Sequence, residues 1–407
     1  MRRVILIKRP FFYEGEIRDI FSFFLSQDKN CQLEKFEQRF LKYIGGKSAF
    51  CTISGRMALY LILKALNLKE KDEVILPVYT FFAIPTIISS LGLKPVFVDI
   101  DETCNINPEL IPEKITSRSK VIIPTHLFGQ PCNMEKISKI AKKFNLFVIE
   151  DCAHALGAEY KGRKVGSLGD ASFFSFSVSK FINTFKGGAV IVNNSALLPK
   201  IKTEFSNFKY PPKSIVLKII FKLLLTRLFF NPPIYSNFIF PINLYLRNMK
   251  YRNVMELYRK IISRKEAKKT HNLPKYRYTN LQASIANKQL LLLDRINDLR
   301  RQKLEFLCSK LKPEIKTTYL SNIEGIKSAP LVLGIYSNSK KETTKKLLER
   351  GIEVDDNFMQ NCSKIFDRVG HYPVVEKVEK ELLILNIDPY YKMCDLIRIA
   401  QALNEII

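Results

Sequence analysis

The chain has 407 residues, of which 46% are hydrophobic and 26% are charged. This composition argues against a disordered chain and against a repeat solenoid, and the length fits two domains better than one small core. Its 65 Lys and Arg residues against 39 Asp and Glu give a net charge of +26. We therefore expect an anionic partner, such as nucleic acid or a membrane surface, or else a composition that is simply rich in lysine.

The eight cysteines are scattered along the chain, and no C-x-x-C pair occurs. We therefore expect reduced thiols, with neither a metal site nor a disulfide framework. No uncharged apolar run reaches the ~18 residues of a conventional membrane span. Lys8 and Arg9 interrupt the first apolar stretch, and no cleavage site follows. These features predict a cytoplasmic protein without a secretory signal.

Short apolar runs alternate with amphipathic segments between residues 44 and 200. Residues 57–66 and 134–144 are typical of helices. Four further runs are typical of buried strands: 74–77, 95–99, 121–124 and 146–151. This alternation predicts an α/β fold with a largely parallel sheet that is covered on both faces. Because such sheets bind ligands beyond the carboxyl ends of their strands, Asp151 at a strand end is well placed for chemistry.

The chain changes character between residues 205 and 270. Residues 215–230 are almost wholly apolar apart from four polar positions, three of which recur every four residues (Lys218, Lys222 and Thr226). This spacing predicts a helix with one narrow polar stripe and a wide apolar face. A second apolar stretch, residues 234–246, precedes a basic segment at residues 247–269 that holds nine Lys and Arg.

The carboxyl-terminal part begins with a long amphipathic pattern at residues 279–311. It predicts one helix whose apolar stripe consists of Leu281, Ile285, Leu292, Ile296 and Leu299. Short strand and helix patterns follow, ending with a helix from about Met393. We expect two domains: a large one over residues 1–270, with an insertion at about 205–270, and a smaller α+β domain over residues 271–407.

Four local features carry residues suited to catalysis. The first is Asp151 at its strand end, followed by small residues and His154. The second is an aromatic strand that delivers hydroxyl groups and then Lys180 onto a loop, and the third is the Gly-Gly pair that opens the apolar run 187–192. The fourth is residues 54–56, directly before a helix, where free backbone N–H groups and the helix dipole form a seat for an anion.

An acid, a lysine and an anion seat are what pyridoxal 5′-phosphate (PLP) chemistry requires. The lysine binds the cofactor as a Schiff base, and the carboxylate keeps the pyridine nitrogen protonated so that the ring accepts electrons. Each element alone is weak evidence, because a lone lysine after a strand is usually solvated and a strand-end aspartate is often only a helix cap. The ordered set is much more specific.

In this order the motifs resemble the DegT/DnrJ/EryC1/StrS family of sugar aminotransferases, which have the type I fold of PLP-dependent transferases. The family patterns S-G-T-A-A-L, D-E-V-I-x-P-x-x-T-F-x-A, P-V-H-L-Y-G-Q-P, E-D-A-A-H/Q-A-L-G and G-S-x-G-D-x-x-x-F-S-F are matched from residues 54, 72, 124, 150 and 166. The later pattern N-Y-R-M-x-x-x-Q-A is echoed at residues 275–278 and 282–283. The resemblance covers about residues 30–200 and 272–407.

The resemblance implies a large mixed, mostly parallel sheet domain, a smaller α+β domain and a homodimer. It also implies transfer of an amino group from glutamate to a nucleotide- or lipid-linked keto sugar, in the biosynthesis of cell-surface polysaccharides or glycolipids. Because a lysine stands at position 180, the minority of family dehydratases that carry histidine there is disfavoured. A transaminase of a non-sugar ketone and a non-catalytic regulatory or nucleic-acid-binding member remain alternatives. Nucleic acid is not expected, because the basic segment carries no recognised binding motif.

Carried over residue by residue, the resemblance gives each matching position a role. Lys180 is implied to be the catalytic Schiff-base lysine, which also moves a proton between substrate carbon and cofactor, and Asp151 is implied to pair with the pyridine nitrogen. Three residues are implied to bind the cofactor phosphate, namely Gly55, Arg56 and Ser175. His154 is implied to lie near the pyridine ring, and Phe81 is implied to stack on its face. For Phe81 the alternative is an ordinary core residue. His126 is expected to be structural, since its motif is a strand-end turn.

Three residues depart from the family pattern. Arg56 stands where the family usually has Thr, and Lys186 replaces the glutamate of G-E-G-G. Lys275 replaces an Asn that usually reaches the cofactor phosphate of the neighbouring subunit. All three raise the positive charge near the expected cofactor site. They indicate an unusually anionic ligand, or else drift in a lysine-rich chain.

The insertion is apolar first and basic second, over residues 213–269. This order suits an interfacial helix and a polybasic patch on an anionic membrane, at the inner face of the cytoplasmic membrane. A helix of about 15 residues is too short to cross the ~30 Å hydrocarbon core. The alternative is a dimer arm or a lid packed on the active site. A membrane location favours a lipid-linked acceptor, whereas a soluble nucleotide sugar is the default for the family.

Overall fold

The computed structural model describes most of the chain, namely residues 4–5, 10–25, 31–178, 180–248, 274–320, 323–356, 358–366 and 370–407. The greater part of the predicted basic segment, residues 249–269, lies outside these ranges.

A seven-stranded mixed sheet forms the centre of the protein. Its strands, in spatial order, are β1 (Ser48–Thr52), β10 (Gly188–Val192), β9 (Ala171–Ser175), β6 (Phe147–Asp151), β5 (Ser119–Ile122), β2 (Glu73–Pro77) and β4 (Lys94–Val98). Neighbours from β9 to β4 pair in parallel, whereas β10 is antiparallel to both β1 and β9. The predicted α/β fold with a mostly parallel sheet is confirmed.

Shorter strands pair outside this sheet. They are β3 (Tyr79–Thr80), β7 (Glu159–Tyr160), β8 (Arg163–Lys164), β11 (Ile326–Lys327), β12 (Val332–Tyr336), β13 (Gln360–Asn361) and β14 (Leu382–Asn386). Strand β12 is antiparallel to β14, and β13 is antiparallel to β3. The second pairing joins the carboxyl-terminal part of the chain to the central sheet region.

The helices cover the sheet and continue into the carboxyl-terminal part. They are α1 (Glu16–Leu25), α2 (Gln32–Ile44), α3 (Gly55–Ala65), α4 (Ala83–Ser90), α5 (Met134–Phe144), α6 (Leu198–Ser206), α7 (Lys213–Phe229), α8 (Phe240–Asn248), α9 (Asn280–Ser309), α10 (Lys340–Glu349), α11 (Cys362–Ile365), α12 (Pro373–Glu381) and α13 (Met393–Ile406).

The long predicted helix exists as α9, but only two of the five residues of its predicted apolar stripe are buried. Leu281 and Ile285 are buried, whereas Leu292 and Ile296 are only partly buried. The buried face also carries polar side chains between its leucines, among them Gln282, Gln289, Asn297 and Arg300. This face packs against loops, and loop backbone groups need hydrogen-bond partners that leucine cannot supply.

Two large hydrophobic clusters hold the fold together. The first includes the sheet, α2, α3 and the first half of α9. The second includes Leu304 and Leu307 at the end of α9, β12, β14 and α13, and it also contains Ile5 from the start of the chain. Helix α9 thus belongs to both clusters, and the division into domains at residue 270 stays a prediction.

The insertion is helical in its described part. After α7 come a helical turn at Pro232–Ile234, a π-helical turn at Tyr235–Ile239 and α8. Ile219 and Leu223 of α7 are buried against the body of the protein. The predicted helix exists as α7, and part of its wide apolar face is exposed, at Leu217 and Phe221. No helix within the described ranges is both long and apolar enough to cross a membrane.

Candidate active site

The carboxyl ends of three strands lie at one edge of the sheet. Strands β6 and β9 are parallel neighbours, with Asp151 opposite Phe173. Strand β1 runs in the same direction as β9, because both are antiparallel to β10. The residues that follow β1, β6 and β9 therefore meet at this edge, which is where ligands of such sheets bind.

Asp151 is the last residue of β6 and is only 3% exposed. Its Oδ1 accepts a hydrogen bond of 3.0 Å from the backbone N–H of Ala153, and the Thr125 hydroxyl lies 3.4 Å from Oδ2. Burial raises the pKa of the Asp151 carboxyl, while the positive charge of Lys180 acts in the opposite direction. The structure thus brings the predicted acid and the predicted catalytic lysine within electrostatic reach of each other.

Lys180 lies half-buried on the loop that follows β9, and its backbone N–H donates to the carbonyl of Ser177 at 3.1 Å. Helix α9 fixes the rest of this loop. The Gln282 side-chain amide donates to the carbonyl oxygens of Thr184 and Lys186, at 3.1 and 2.8 Å. The Tyr278 and Thr184 hydroxyls are 2.5 Å apart.

The role of Gln282 was not predicted. The sequence does contain a signal for its position, since Thr279 and Gln282 form a T-x-x-Q capping box at the start of α9. Nothing in the sequence indicates that the same amide also reaches a loop 98 residues earlier in the chain.

The predicted anion seat is the amino terminus of α3. The Ser54 hydroxyl accepts a hydrogen bond of 3.3 Å from the backbone N–H of Met57 and so caps the helix. A Cβ atom on Gly55 would lie 3.1 Å from Cβ of Ser175, and one on Gly188 would lie 2.5 Å from the backbone nitrogen of Gly55. Two glycines are therefore needed for α3 to approach the ends of β9 and β10 this closely. The Ser175 hydroxyl lies 3.2 Å from that of Ser177.

Two of the unusual basic residues lie around this seat. Arg56 follows Gly55 in the first turn of α3 and is partly buried. Lys275 is exposed, with Nζ 5.6 Å from the centroid of the Tyr60 ring on the same helix. The segment after Lys275 runs beside β1, where the backbone N–H of Ile53 donates to the carbonyl of Tyr276 at 3.1 Å.

Two rings were predicted near the cofactor. His154 is buried, and its ring meets that of Phe358, from the carboxyl-terminal part, edge to face at 5.3 Å. Phe81 is 45% exposed, so it is not the ordinary core residue of the alternative interpretation. Its ring lies 4.7 Å from that of Phe82, and stacking on a cofactor stays a prediction.

His126 belongs to a buried hydrogen-bond network with Glu150, and both side chains are fully buried. The backbone N–H of Cys132 donates to Nδ1 of His126, so the proton of the neutral ring is on Nε2, which lies 3.0 Å from Glu150. The Glu150 carboxylate also accepts three backbone N–H groups, from Gly166, Leu168 and Gly169. These contacts assign His126 and Glu150 a structural role.

His126, Glu150 and Cys152 offer ligand atoms within 4.8 Å of one another. Both ring nitrogens of His126 are engaged in the hydrogen bonds described above, and the carboxylate of Glu150 has four donors. The geometry is therefore that of a buried hydrogen-bond network, and we assign no metal to it.

The arrangement fits PLP in three respects. A buried carboxylate with a raised pKa can pair with a protonated ring nitrogen, and a half-buried lysine lies within its electrostatic reach. The amino terminus of α3 offers backbone N–H groups to a phosphate, and two glycines let it lie close against the ends of β9 and β10.

Comparison with known proteins agrees with this geometry. Residues 26–211 match the DegT/DnrJ/EryC1/StrS aminotransferase family. GDP-perosamine synthase of Escherichia coli O157:H7 is 45% identical over 170 residues, which are 42% of this chain and 47% of that protein. The dTDP-3-amino-3,6-dideoxy-alpha-D-galactopyranose transaminase of Aneurinibacillus thermoaerophilus is 46% identical over 178 residues, which are 44% of this chain and 49% of that protein.

The chain spans about half the length of the curated relatives that it matches. The similarity of fold extends further. Helicobacter pylori PseC, an aminotransferase involved in the biosynthesis of pseudoaminic acid, has a TM-score of 0.76 to this chain at 20% identity, with 99% of each chain covered. Residues 26–211 are thus similar to the DegT/DnrJ/EryC1/StrS aminotransferase family, as the motifs predict, and the similarity to PseC shows a shared fold over nearly the whole chain.

Proposed function

We propose that the protein is a PLP-dependent aminotransferase that moves an amino group from glutamate to a keto sugar. The observation that carries the proposal is the buried Asp151 carboxylate within electrostatic reach of Lys180. Both lie at the sheet edge that also holds the glycine-lined amino terminus of α3. When bound, PLP supplies the electron sink that makes a hydrogen on the substrate carbon acidic.

The residues of the chain have separate tasks in this proposal. Asp151 holds the ring nitrogen in its protonated form, because a buried carboxylate is most stable beside a positive charge. Lys180 would bind the cofactor covalently and, once released by the amino donor, would carry the proton between the substrate carbon and the cofactor. Gly55, Arg56 and Ser175 bind the phosphate, Phe81 covers one face of the ring, and His154 lies near it.

The proposed acceptor is a keto sugar carried on a nucleotide. The relatives named above act on GDP- and dTDP-linked sugars by their names. In this chain Arg56 lies partly buried in the first turn of α3, and Lys186 is exposed on the loop that follows Lys180, so both add positive charge on this side of the protein. Such charge attracts a diphosphate. A lipid-linked diphosphate sugar has the same anionic group and is the second form of the acceptor.

We also propose a homodimer in which Lys275 serves the site of the neighbouring subunit. Its side chain is exposed in the single chain, at the position where the family pattern has the residue that reaches across. Light scattering tests the dimer directly. Mixing two inactive variants, K180A and K275E, tests the shared site, because a mixed dimer then regains one intact site.

The function is tested with glutamate and keto sugars linked to GDP, dTDP or UDP, with mass spectrometry of both products. The proposal predicts one 2-oxoglutarate for each amino sugar formed, no product with K180A, and unchanged product with K143A, a substitution on an exposed part of α5. A sugar product that has lost water and gained no nitrogen would instead identify a dehydratase. Turnover of non-sugar ketones alone would contradict the proposed acceptor.

A further inference from the structure

The outward side of α7 exposes large apolar side chains at helical spacing. Leu217, Phe221 and Leu228 lie at i, i+4 and i+11, which is one stripe of the helix. Leu217 is 63% exposed and Phe221 is 65% exposed. Exposed Lys213 and Lys218 flank this stripe. We call these five residues the outer face of α7.

The opposite side of α7 is anchored to the body of the protein. Ile219 and Leu223 are buried in the main hydrophobic cluster. The Lys222 ammonium lies 5.4 Å from the centroid of the Phe185 ring, and the Arg227 guanidinium lies 5.3 Å from that of Phe12. Because these contacts fix the orientation of the helix, its outer face points away from the part of the body that the structure describes.

The charge around this face has one sign. The sequence contains no Asp or Glu between Glu204 and Glu256, whereas five Lys and Arg lie between residues 209 and 227. An isologous contact between two copies of the outer face would place lysines against lysines, with no carboxylate from this stretch to compensate. An anionic lipid surface supplies both the apolar and the negatively charged partner that the face lacks.

We propose that the outer face of α7 docks on an anionic bilayer and lies in its interface. The helix has 17 residues and so measures about 25 Å, less than the ~30 Å hydrocarbon core. Leu217, Phe221 and Leu228 enter the boundary between headgroups and acyl chains, and the two lysines contact the headgroups. This inference goes beyond the proposed function and does not depend on it.

The test is sedimentation of the full chain with vesicles of phosphatidylcholine, with and without phosphatidylglycerol. Binding is expected only to the vesicles with phosphatidylglycerol, and it weakens as salt is raised. The L217S/F221S variant should bind at least about tenfold more weakly. Its matched control is L291S, which removes a 71% exposed leucine from α9 and should bind like the wild type.

The charged part is tested separately with K213Q/K218Q, which should also weaken binding on the order of tenfold. K142Q/K143Q removes two exposed charges from α5 and is its control. Equal losses in test and control variants would overturn the docking site. The proposal is also overturned if L217S/F221S binds the vesicles normally and light scattering shows that the variant has lost a dimer. The outer face of α7 would then be a contact between two copies of the chain.

Discussion

The Glu150 network allows a prediction whose size follows from the structure. We consider E150Q, which keeps the shape of the side chain and removes its charge. In the wild type, Oε1 accepts from the backbone N–H groups of Leu168 and Gly169, and Oε2 accepts from Gly166 and lies 3.0 Å from Nε2 of His126. All four groups are hydrogen-bond donors, because Nδ1 of His126 is already the acceptor for Cys132.

A glutamine at this position cannot satisfy four donors. Whichever way the amide is turned, its NH₂ group faces two N–H groups, which lose their acceptor and are left in a fully buried site. An unsatisfied buried donor costs about 1–3 kcal/mol, so E150Q should lower the free energy of unfolding by about 2–6 kcal/mol. This is a large part of the ~5–15 kcal/mol that stabilises a typical domain.

Urea unfolding followed by circular dichroism measures the effect. The control is E135Q on α5, where an exposed carboxylate pairs with Lys139 at 2.8 Å and where we expect a change of less than about 1 kcal/mol. If E150Q does not accumulate as folded protein, H126A measures a smaller part of the same network. If the free energies of unfolding of E150Q and E135Q differ by less than about 0.5 kcal/mol, the network does not stabilise the fold.

Two further predictions concern the cofactor seat and the dependence of stability on pH. G188A should weaken PLP binding at least about tenfold, and more than G55A does. The reason is that a Cβ at residue 188 would lie 2.5 Å from the Gly55 nitrogen, whereas a Cβ at residue 55 would lie 3.1 Å from its nearest neighbours. Equal PLP affinities of the two variants in a fluorescence titration would contradict this prediction. Burial raises the pKa of Glu16 to about 7, so its contribution to stability is complete below the unfolded pKa and is lost as pH rises through 7. Between pH 4.5 and pH 8 the unfolding free energy of E16Q, relative to that of the wild type, should therefore rise by about 3 kcal/mol. If the two unfolding free energies change with pH in parallel, Glu16 does not cause the loss of stability.

The alternating patterns were sufficient to predict the sheet and several helices, because each buried strand and amphipathic helix has its own local periodicity. Helix α5 begins and ends where its pattern does. The two-residue strands β3 and β13 were not predicted, since they are held only by pairing between parts of the chain about 280 residues apart. Local patterns also could not predict the direction of each strand, since β10 is as apolar as its neighbours β1 and β9 but is antiparallel to both.

The site shows the same division. Motif order was enough to select Asp151, Lys180 and the residues of the anion seat, and the structure brings all of them to one edge of the sheet. The contact of Gly188 with Gly55 and the hydrogen bonds of Gln282 to the Lys180 loop depend on tertiary packing. Adjacent Glu150 and Asp151 look alike in sequence, yet Asp151 lies within electrostatic reach of the lysine, while Glu150 accepts hydrogen bonds from loop amides.

The central claim is that Lys180 and Asp151 form a PLP site that accepts an amino group from glutamate. The most direct test is the visible absorption spectrum of the purified protein, supplied with PLP, before and after glutamate is added. We predict a visible band from the cofactor bound to Lys180, its loss on addition of glutamate, and its absence in K180A, with K143A behaving as the wild type. A protein that takes up no PLP, or a K180A variant with the same band and the same response, would contradict the account.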